Sequence, residues 1–408
     1  MNRLRICLLC LFLGLVFSGW TQEMPFAADS LLPASPKTTL LSGSAKTTLN
    51  GYLSNLFSPQ YNNIGDRWKT TNYVNQRLNF GWTPSSPLTF SAQLRSRIIY
   101  NQAGADTAFV NIHDGIVWQR DKVYFNTTFD RLNLKYTKDK LEVTVGRQRI
   151  NWGQAFVWNP NDLFNSYSFF DFDYIERPGS DAVRIQYYDS FSSSVELAAK
   201  IDRSNKITVA GLRRFNRWGI DLQLLGGILS SEDAVVGAGW TGNIKSLSVF
   251  GEGTYFRPLK NFGGSQGLTM IDIGCSKIFA NNLGLQLEGL YVTRKPDINS
   301  LFTLFQSTLD VRKIAFAQVN LFGSVSYPIT PLINGSMAVM WFPARGRING
   351  TGGISGIYTG PSFDFSLGNN LNLSVIAQYF KGDFTGVDLL QLQQQKIILS
   401  FVRLKWNF

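Results

Sequence analysis

The sequence predicts an all-β fold: one closed antiparallel transmembrane β-barrel of about eighteen strands, with sixteen as the alternative. Three observations predict it. Beyond Lys46 the apolar residues recur at period two in segments of about ten to fifteen residues, with no sustained 3.6-residue stripe. The connections alternate between short and long, and aromatic residues stand at both ends of the apolar faces. Composition agrees. The 408 residues are 44% hydrophobic and 14% aromatic but only 16% charged, with 37 glycines. That is too apolar for disorder and too evenly polar for a bundle of membrane helices. Past the N-terminus no uncharged apolar run reaches the about 18 residues that a spanning helix needs.

In chain order, Arg3 and Arg5 precede an apolar run from Ile6 to Phe17 and the small residues Ser18 and Gly19. This is the pattern of a cleaved export signal. It assigns residues 1–22 to the signal, with cleavage anywhere from Ser18 to Ala27, residues 23–45 to a short periplasmic segment, and 46–408 to the barrel. No cysteine stands where a lipoprotein signal would place one, so the mature chain is expected to be unlipidated. Two of the three cysteines, Cys7 and Cys10, fall in that signal, and the chain has one histidine. Neither a disulfide framework nor a Cys/His zinc site can be built from what remains, and no metal or other cofactor is expected.

Trp68 to Trp82 shows the strand pattern best. Trp68, Val74, Leu78, Phe80 and Trp82 share one face, while Lys69, Thr71, Tyr73, Asn75, Arg77 and Asn79 share the other. Tight turns are expected at Pro84 to Pro87, Lys138 to Lys140, Asp189 to Ser192, Ala280 to Asn282, Pro328 to Pro331 and Gly368 to Asn370. Longer polar stretches lie between them, including Gln102 to Lys122, Ile150 to Ser180 and Lys295 to Arg312. Short periplasmic turns with long outer loops are the signature of an outer-membrane barrel, and an even strand number returns the C-terminus to the periplasmic side. The apolar face carries Trp82, Tyr136, Tyr187, Phe279, Tyr327 and Trp406 beside the short turns. At the opposite ends stand Trp68, Tyr100, Tyr255, Tyr291, Trp341 and Tyr379. Two belts of amphipathic rings suit the two interfaces of a lipid-facing surface.

The last strand, Lys396 to Phe408, puts Val402, Leu404, Trp406 and Phe408 on one face. Here the chain resembles bacterial outer-membrane barrels generally, whose terminal strand with a final Phe is similar to the signal read by the barrel-assembly machinery. The resemblance implies that Trp406 and Phe408 serve assembly. A second resemblance covers about twenty residues: Gly146-Arg-Gln-Arg-Ile-Asn-Trp-Gly153 with Asn159-Pro-Asn-Asp162 looks like the Gly-Arg-Gln…Trp-Gly…Asn-Pro-x-Asp pattern of porin-like barrels, including relatives of alginate-export channels. It implies a channel architecture and not a polysaccharide substrate.

With the lipid face fixed by parity, the other parity lines the lumen. It carries Lys69, Arg77, Arg95, Arg97, Arg131, Lys135, Arg184 and Lys200, joined on closure by Arg403 and Lys405 of the last strand. Inward acids are fewer: Asp221, Glu252 and Glu288, with Glu196 at the boundary. Arg77, Arg95, Arg97, Arg131, Arg184, Lys200 and Arg403 are therefore the candidate pore-lining and solute-binding residues. A basic wall facing a weaker acidic one favours anions, and that preference is expected to come from the wall arginines rather than from the net charge of +11. The stretch 150–180 holds too many rings for a solvated loop and must pack against something. A position inside the barrel is favoured over a trimer contact or an outer cap. Arg147, Arg149, Trp152, Asp171, Asp173 and Glu176 would then form a constriction, the acids pairing with the arginines.

These features predict a channel for small hydrophilic, anionic solutes in the outer membrane of a Gram-negative bacterium. The alternative is a non-conducting barrel that serves surface-polymer export, secretion or assembly. Expected partners are membrane lipid and lipopolysaccharide, the assembly machinery and small anions, as a homotrimer or a monomer. Nucleic acid is excluded by location. His113 beside Asp114 in an outer loop is a solvated residue rather than a catalytic base, so no enzyme is expected.

Overall fold

The computed structural model describes residues 46–63, 67–102, 116–166, 179–202, 204–294, 310–343, 353–385 and 394–408. The expected export signal and periplasmic segment, His113, and Asp171, Asp173 and Glu176 lie outside the described residues.

The alternating segments form nineteen strands in one antiparallel sheet. They are β1 (Lys46–Asn62), β2 (Arg67–Ser85), β3 (Leu88–Asn101), β4 (Ile116–Arg120), β5 (Val123–Lys138), β6 (Leu141–Gln148), β7 (Ser180–Ser190), β8 (Ser193–Ile201), β9 (Ile207–Arg217) and β10 (Ile220–Leu229). The chain continues with β11 (Asp233–Ile244), β12 (Leu247–Pro258), β13 (Leu268–Ile278), β14 (Gly284–Val292), β15 (Val319–Thr330), β16 (Ile333–Phe342), β17 (Gly353–Ser366), β18 (Leu371–Thr385) and β19 (Gln394–Asn407). Each strand of the ring pairs with the next, and β1 closes it on β19, Tyr52 opposite Asn407 and Phe57 opposite Val402. The short β4 is outside the ring. Because β3 pairs directly with β5, β4 only lies along the upper part of β5, leaving a closed barrel of eighteen strands. Among the described residues the only helical piece is a single 3-10 turn, Val311–Lys313.

Turn chemistry fixes the register. The β5–β6 and β11–β12 hairpins reverse through two residues, with positive φ at Asp139 (52°) and Lys245 (56°), the geometry whose twist matches paired strands. The sequence reading missed the Trp218–Gly219 and Lys245–Ser246 turns. It also overstated the asymmetry, since β8–β9 and β10–β11 are joined by short connections on the outer side. The expected girdle residues Trp82, Tyr136, Tyr187, Phe279, Tyr327 and Trp406 at one end, and Trp68, Tyr100, Tyr255, Tyr291 and Trp341 at the other, are exposed on the outward face, with Tyr379 half-buried. Closure leaves the ring itself no free edge, and the outward apolar band between the girdles marks the barrel as membrane-spanning.

One irregularity matters for the interior. In the β3–β5 ladder Gln93 lies opposite Arg131 and Leu94 opposite Phe129, so Asp130 is an extra residue in β5. This β-bulge turns both Asp130 and Arg131 inward, where they are buried, between the exposed Phe129 and Leu132.

Candidate functional site in the barrel lumen

β6 ends early, at Gln148, and the chain then enters the barrel. Gly146 makes the departure possible. Its φ of 111° is closed to other residues, and a Cβ there would stand 2.4 Å from the Leu132 carbonyl oxygen. Gly153 has a different reason: a Cβ would fall 2.1 Å from Asn159 Oδ1. The loop folds on itself through such contacts. Asn165 Oδ1 accepts the Ile150 N–H at 2.7 Å, and the Ser166 hydroxyl donates to the Asp162 carbonyl at 2.7 Å.

Among the described residues of the stretch, Trp152, Trp158 and Phe164 are buried inside the barrel. Trp152 is 0% exposed, Trp158 2% and Phe164 3%. Trp152 meets Phe164 edge-on with centroids 4.9 Å apart, and Phe156 meets Phe250 of β12 at 5.1 Å. Wall residues from β8 to β14 hold several of the loop's polar groups. Glu196 accepts Trp152 Nε1–H at 2.6 Å, Gln223 donates to the Trp152 carbonyl at 2.8 Å, and Arg214 donates to the Asn151 carbonyl at 3.1 Å. Thr254 Oγ1 donates to Asn161 Oδ1 at 2.6 Å. Glu288 accepts three consecutive backbone N–H groups, from Trp158 at 2.8 Å, Val157 at 2.9 Å and Phe156 at 3.2 Å, and Glu252 accepts that of Gln154 at 3.3 Å. A buried carboxylate needs such donors, and buried N–H groups need acceptors.

A second segment also turns inward. The sequence reading placed 295–312 among the outer polar loops, yet Val311 and the run Ile314 to Ala317 are buried in the same apolar cluster. Phe316 packs edge-on against Phe342 at 5.5 Å, and Asn320 Oδ1 accepts the N–H groups of Phe316 and Ala317. Arg312 ties this segment to the β10–β11 turn through Asp233 at 2.5 Å and Glu232 at 2.8 Å, and also holds Asp310 at 2.5 Å. Lys206 pairs with the same Glu232. Hydrogen bonds from Lys206 and then Arg312 hold the Glu232 carboxyl below its usual range. Burial opposes ionisation of Asp310, but Arg312 outweighs it and lowers that carboxyl as well.

The lumen also has an apolar side beyond the expected basic and acidic walls. Inward positions such as Leu225, Met270, Leu290, Phe342, Tyr358 and Phe380 are apolar and buried, because the inward segments cover them.

The basic wall occupies the other side. Arg77 of β2, Arg95 and Arg97 of β3 and Arg131 of β5 come together, all buried, with Asp130 among them. Arg77 pairs with Asp130 at 2.5 Å and donates to Gln93 at 2.6 Å and Asn79 at 2.9 Å. Arg95 stands 3.7 Å from the other Asp130 oxygen, Arg97 donates to Asn126 at 3.4 Å, and Arg131 donates to the Asp130 carbonyl at 2.7 Å. On β19, Arg403 donates to the hydroxyl of its β18 partner Ser374 at 3.2 Å, which donates in turn to Asp364 at 2.6 Å. Lys405 lies over the Tyr52 ring at 4.6 Å.

Arg184 and Lys200 belong to a different environment from this wall. Arg184 forms a two-pronged pair with Glu196 at 2.7 and 2.8 Å, while Lys200 donates to the Phe164 carbonyl at 2.8 Å. Both hold the loop. Glu196, expected at the boundary, is buried and accepts from Trp152, Arg184 and Gln186. Asp221 sits near the short-turn rim with Asn216. Arg149 is half-buried where the loop begins. Arg147 requires a correction. Its cross-strand partner Leu132 is exposed on the outward face, and Arg147 pairs there with Asp181 at 2.6 Å, outside the lumen. The reason is strand parity: Arg147 follows Val143 and Val145, while Gln148 turns inward.

Asp130, Asp272 and Arg312 are among the site residues that the sequence did not point to. Asp130 was hidden by the bulge, although adjacent charges breaking an alternation were a usable signal. Asp272 of β13 lies between Glu252 and Glu288 and completes a row of three buried acids. Arg312 has one near partner, Asp310, but Glu232 and Asp233, which tie it to the wall, are distant in sequence.

The closed eighteen-stranded barrel, filled in part by inward loops, defines the chain as having the architecture of an outer-membrane porin. Structural comparison agrees at the level of fold. OpdL of Pseudomonas aeruginosa has a TM-score of 0.58 at 10% identity over 89% of this chain and 98% of its own. The outer membrane protein OprD of the same organism has 0.55 at 10% over 89% and 94%. A structure of its OpdK with vanillate has 0.56 at 10% over 88% and 99%. No protein-family model and no curated protein matches the sequence.

Proposed function

We propose that the chain is an outer-membrane porin of a Gram-negative bacterium that passes small hydrophilic anions past the arginine wall. The observation that carries this reading is the grouping of Arg77, Arg95, Arg97 and Arg131 on one side of the lumen, where Asp130 contacts Arg77 and Arg95. Four guanidinium groups on one wall of a confined space form a site that recognises anionic groups. The inward loop 150–166 narrows that path. OpdK, of the same fold, was crystallised with vanillate, a carboxylate. That is the solute class this wall suits.

On this reading the chain reaches the membrane by the cleaved signal at 1–22 and inserts through the assembly machinery by its terminal strand. The Phe408 ring is exposed on the outward side against Trp406, with centroids 5.4 Å apart, and its backbone is locked to Gly51 by two hydrogen bonds of 2.9 Å. It thus stands clear of the lumen. The lumen's large apolar cluster favours the second reading, a non-conducting barrel in surface-polymer export or assembly. Conductance and reversal potential of the refolded chain in a planar bilayer decide between them. Anion-selective conductance supports transport, and a closed or cation-selective barrel refutes it.

A further inference from the structure

The outward face is not uniform. From β8 to β16 most of its positions between the girdles carry Val, Leu, Ile, Ala, Gly or Met, with Arg213, which pairs with Asp189, and Phe215, Trp240, Cys275 and Lys277 as the exceptions. On β1, β2, β3 and β5 the same depth carries Asn55, Asn72, Gln76, Ser96 and Thr127. Strand pairing makes these five one patch. Gln76 lies directly opposite Ser96, and Ser96 directly opposite Thr127. Gln76 shares its face with both girdle tryptophans of β2, Trp68 and Trp82, eight residues to one side and six to the other, so it sits in the hydrocarbon zone.

Hydrocarbon offers no hydrogen bonds, and polar groups facing it are costly. Part of the patch satisfies itself. Ser96 and Thr127 share a hydrogen bond of 2.9 Å, and Asn55 donates to Asn72 at 3.0 Å. That amide pair still leaves N–H groups unused. Gln76 is exposed, and no hydrogen bond to it is found among the described residues.

We propose that this patch is the contact surface for a second copy of the chain, packed about a two-fold axis along the membrane normal through Gln76. Depth matching is the first reason: rotation about the normal keeps every residue at its own level, so the amide of Gln76 meets the same amide in the second copy. The chemistry is self-complementary as well, since a carboxamide is donor and acceptor in one group and two of them close a pair of hydrogen bonds. An isologous contact needs only one patch, as observed. The small side chains of Ser96 and Thr127 let the two walls approach, as small residues do between membrane segments. The inference is independent of what passes through the lumen.

The test uses the full chain in outer membranes, with Cys275→Ser to remove the native thiol. Gln76→Cys should give an oxidised dimer band, while Val236→Cys, exposed on β11 across the barrel, should give none. In detergent and in nanodiscs, light scattering should report a dimer for the unaltered protein and at least a tenfold lower association constant for Gln76→Leu with Asn72→Leu. Heat-modifiable migration should be retained. A monomeric mass for the unaltered protein, a Gln76→Cys adduct with a different polypeptide, or no effect of the leucines would overturn the proposal.

Discussion

Replacing Glu288 by alanine is expected to loosen the inward loop. One buried carboxylate accepts the N–H groups of Phe156, Val157 and Trp158, two of them at 2.9 Å or shorter. Hydrogen bonds to charged groups contribute about 1.5–3 kcal/mol each, so losing the two short ones weakens docking by about 3–6 kcal/mol. Even the lower figure changes the ratio of docked to undocked loop by roughly a hundredfold. Glu288→Gln keeps one acceptor oxygen and should lie between. Val157 is 5% exposed, so Val157→Cys, with Cys275→Ser, should resist an external maleimide in the parent and react quickly beside Glu288→Ala. Single-channel conductance should rise in parallel. If both variants still migrate as folded barrels while reactivity and conductance stay at parent values, the anchoring role assigned to Glu288 is wrong.

Three further outcomes are expected. Neutralising Arg95 and Arg97 together should shift the reversal potential toward cations, and Asp130→Asn should shift it the other way, whereas removing the exposed loop charge Lys260 should do little, being screened within about 10 Å. A larger effect at Lys260 would refute the lumenal origin of selectivity. Deleting Phe408 should reduce the folded amount in the membrane while inserted molecules conduct normally; normal yield with altered conductance would count against an assembly role. The Arg312 cluster should respond to acid. Glu232 and Asp310 have folded values depressed below the ordinary 4.5 and 3.8, so their contribution is complete above those values and is lost as pH falls through the lower folded ones. Proteolysis within 310–318 should therefore accelerate only in strong acid, and Arg312→Ala should make it fast at neutral pH; an Arg312→Ala barrel that stays protected at neutral pH would show that the cluster holds nothing.

Much of the barrel could be read from the sequence, because a strand's period of two is a local property. Each side chain's face follows from its neighbours, as Val74, Leu78, Phe80 and Trp82 show, and lipid on one side with water on the other writes that face into composition. The girdles, most of the short turns and the grouping of Arg77, Arg95, Arg97 and Arg131 follow from the same rule. It failed where one added residue shifts the phase. At Asp130 a bulge points two successive residues inward, and only the Gln93–Arg131 and Leu94–Phe129 pairing reveals it.

What tertiary structure alone decided is which charges meet. Parity put Arg184 and Lys200 with the arginine wall, but the loop that leaves at Gly146 comes between, and Glu196 and the Phe164 carbonyl claim them. Likewise, nothing local says that Ile314 to Ala317 turn inward, or that Arg312 reaches Glu232 and Asp233 about eighty residues earlier in the chain. Alternation specifies a wall residue by residue. The contents of the lumen are specified by contacts across the barrel, between residues whose only relation is that the ring closes.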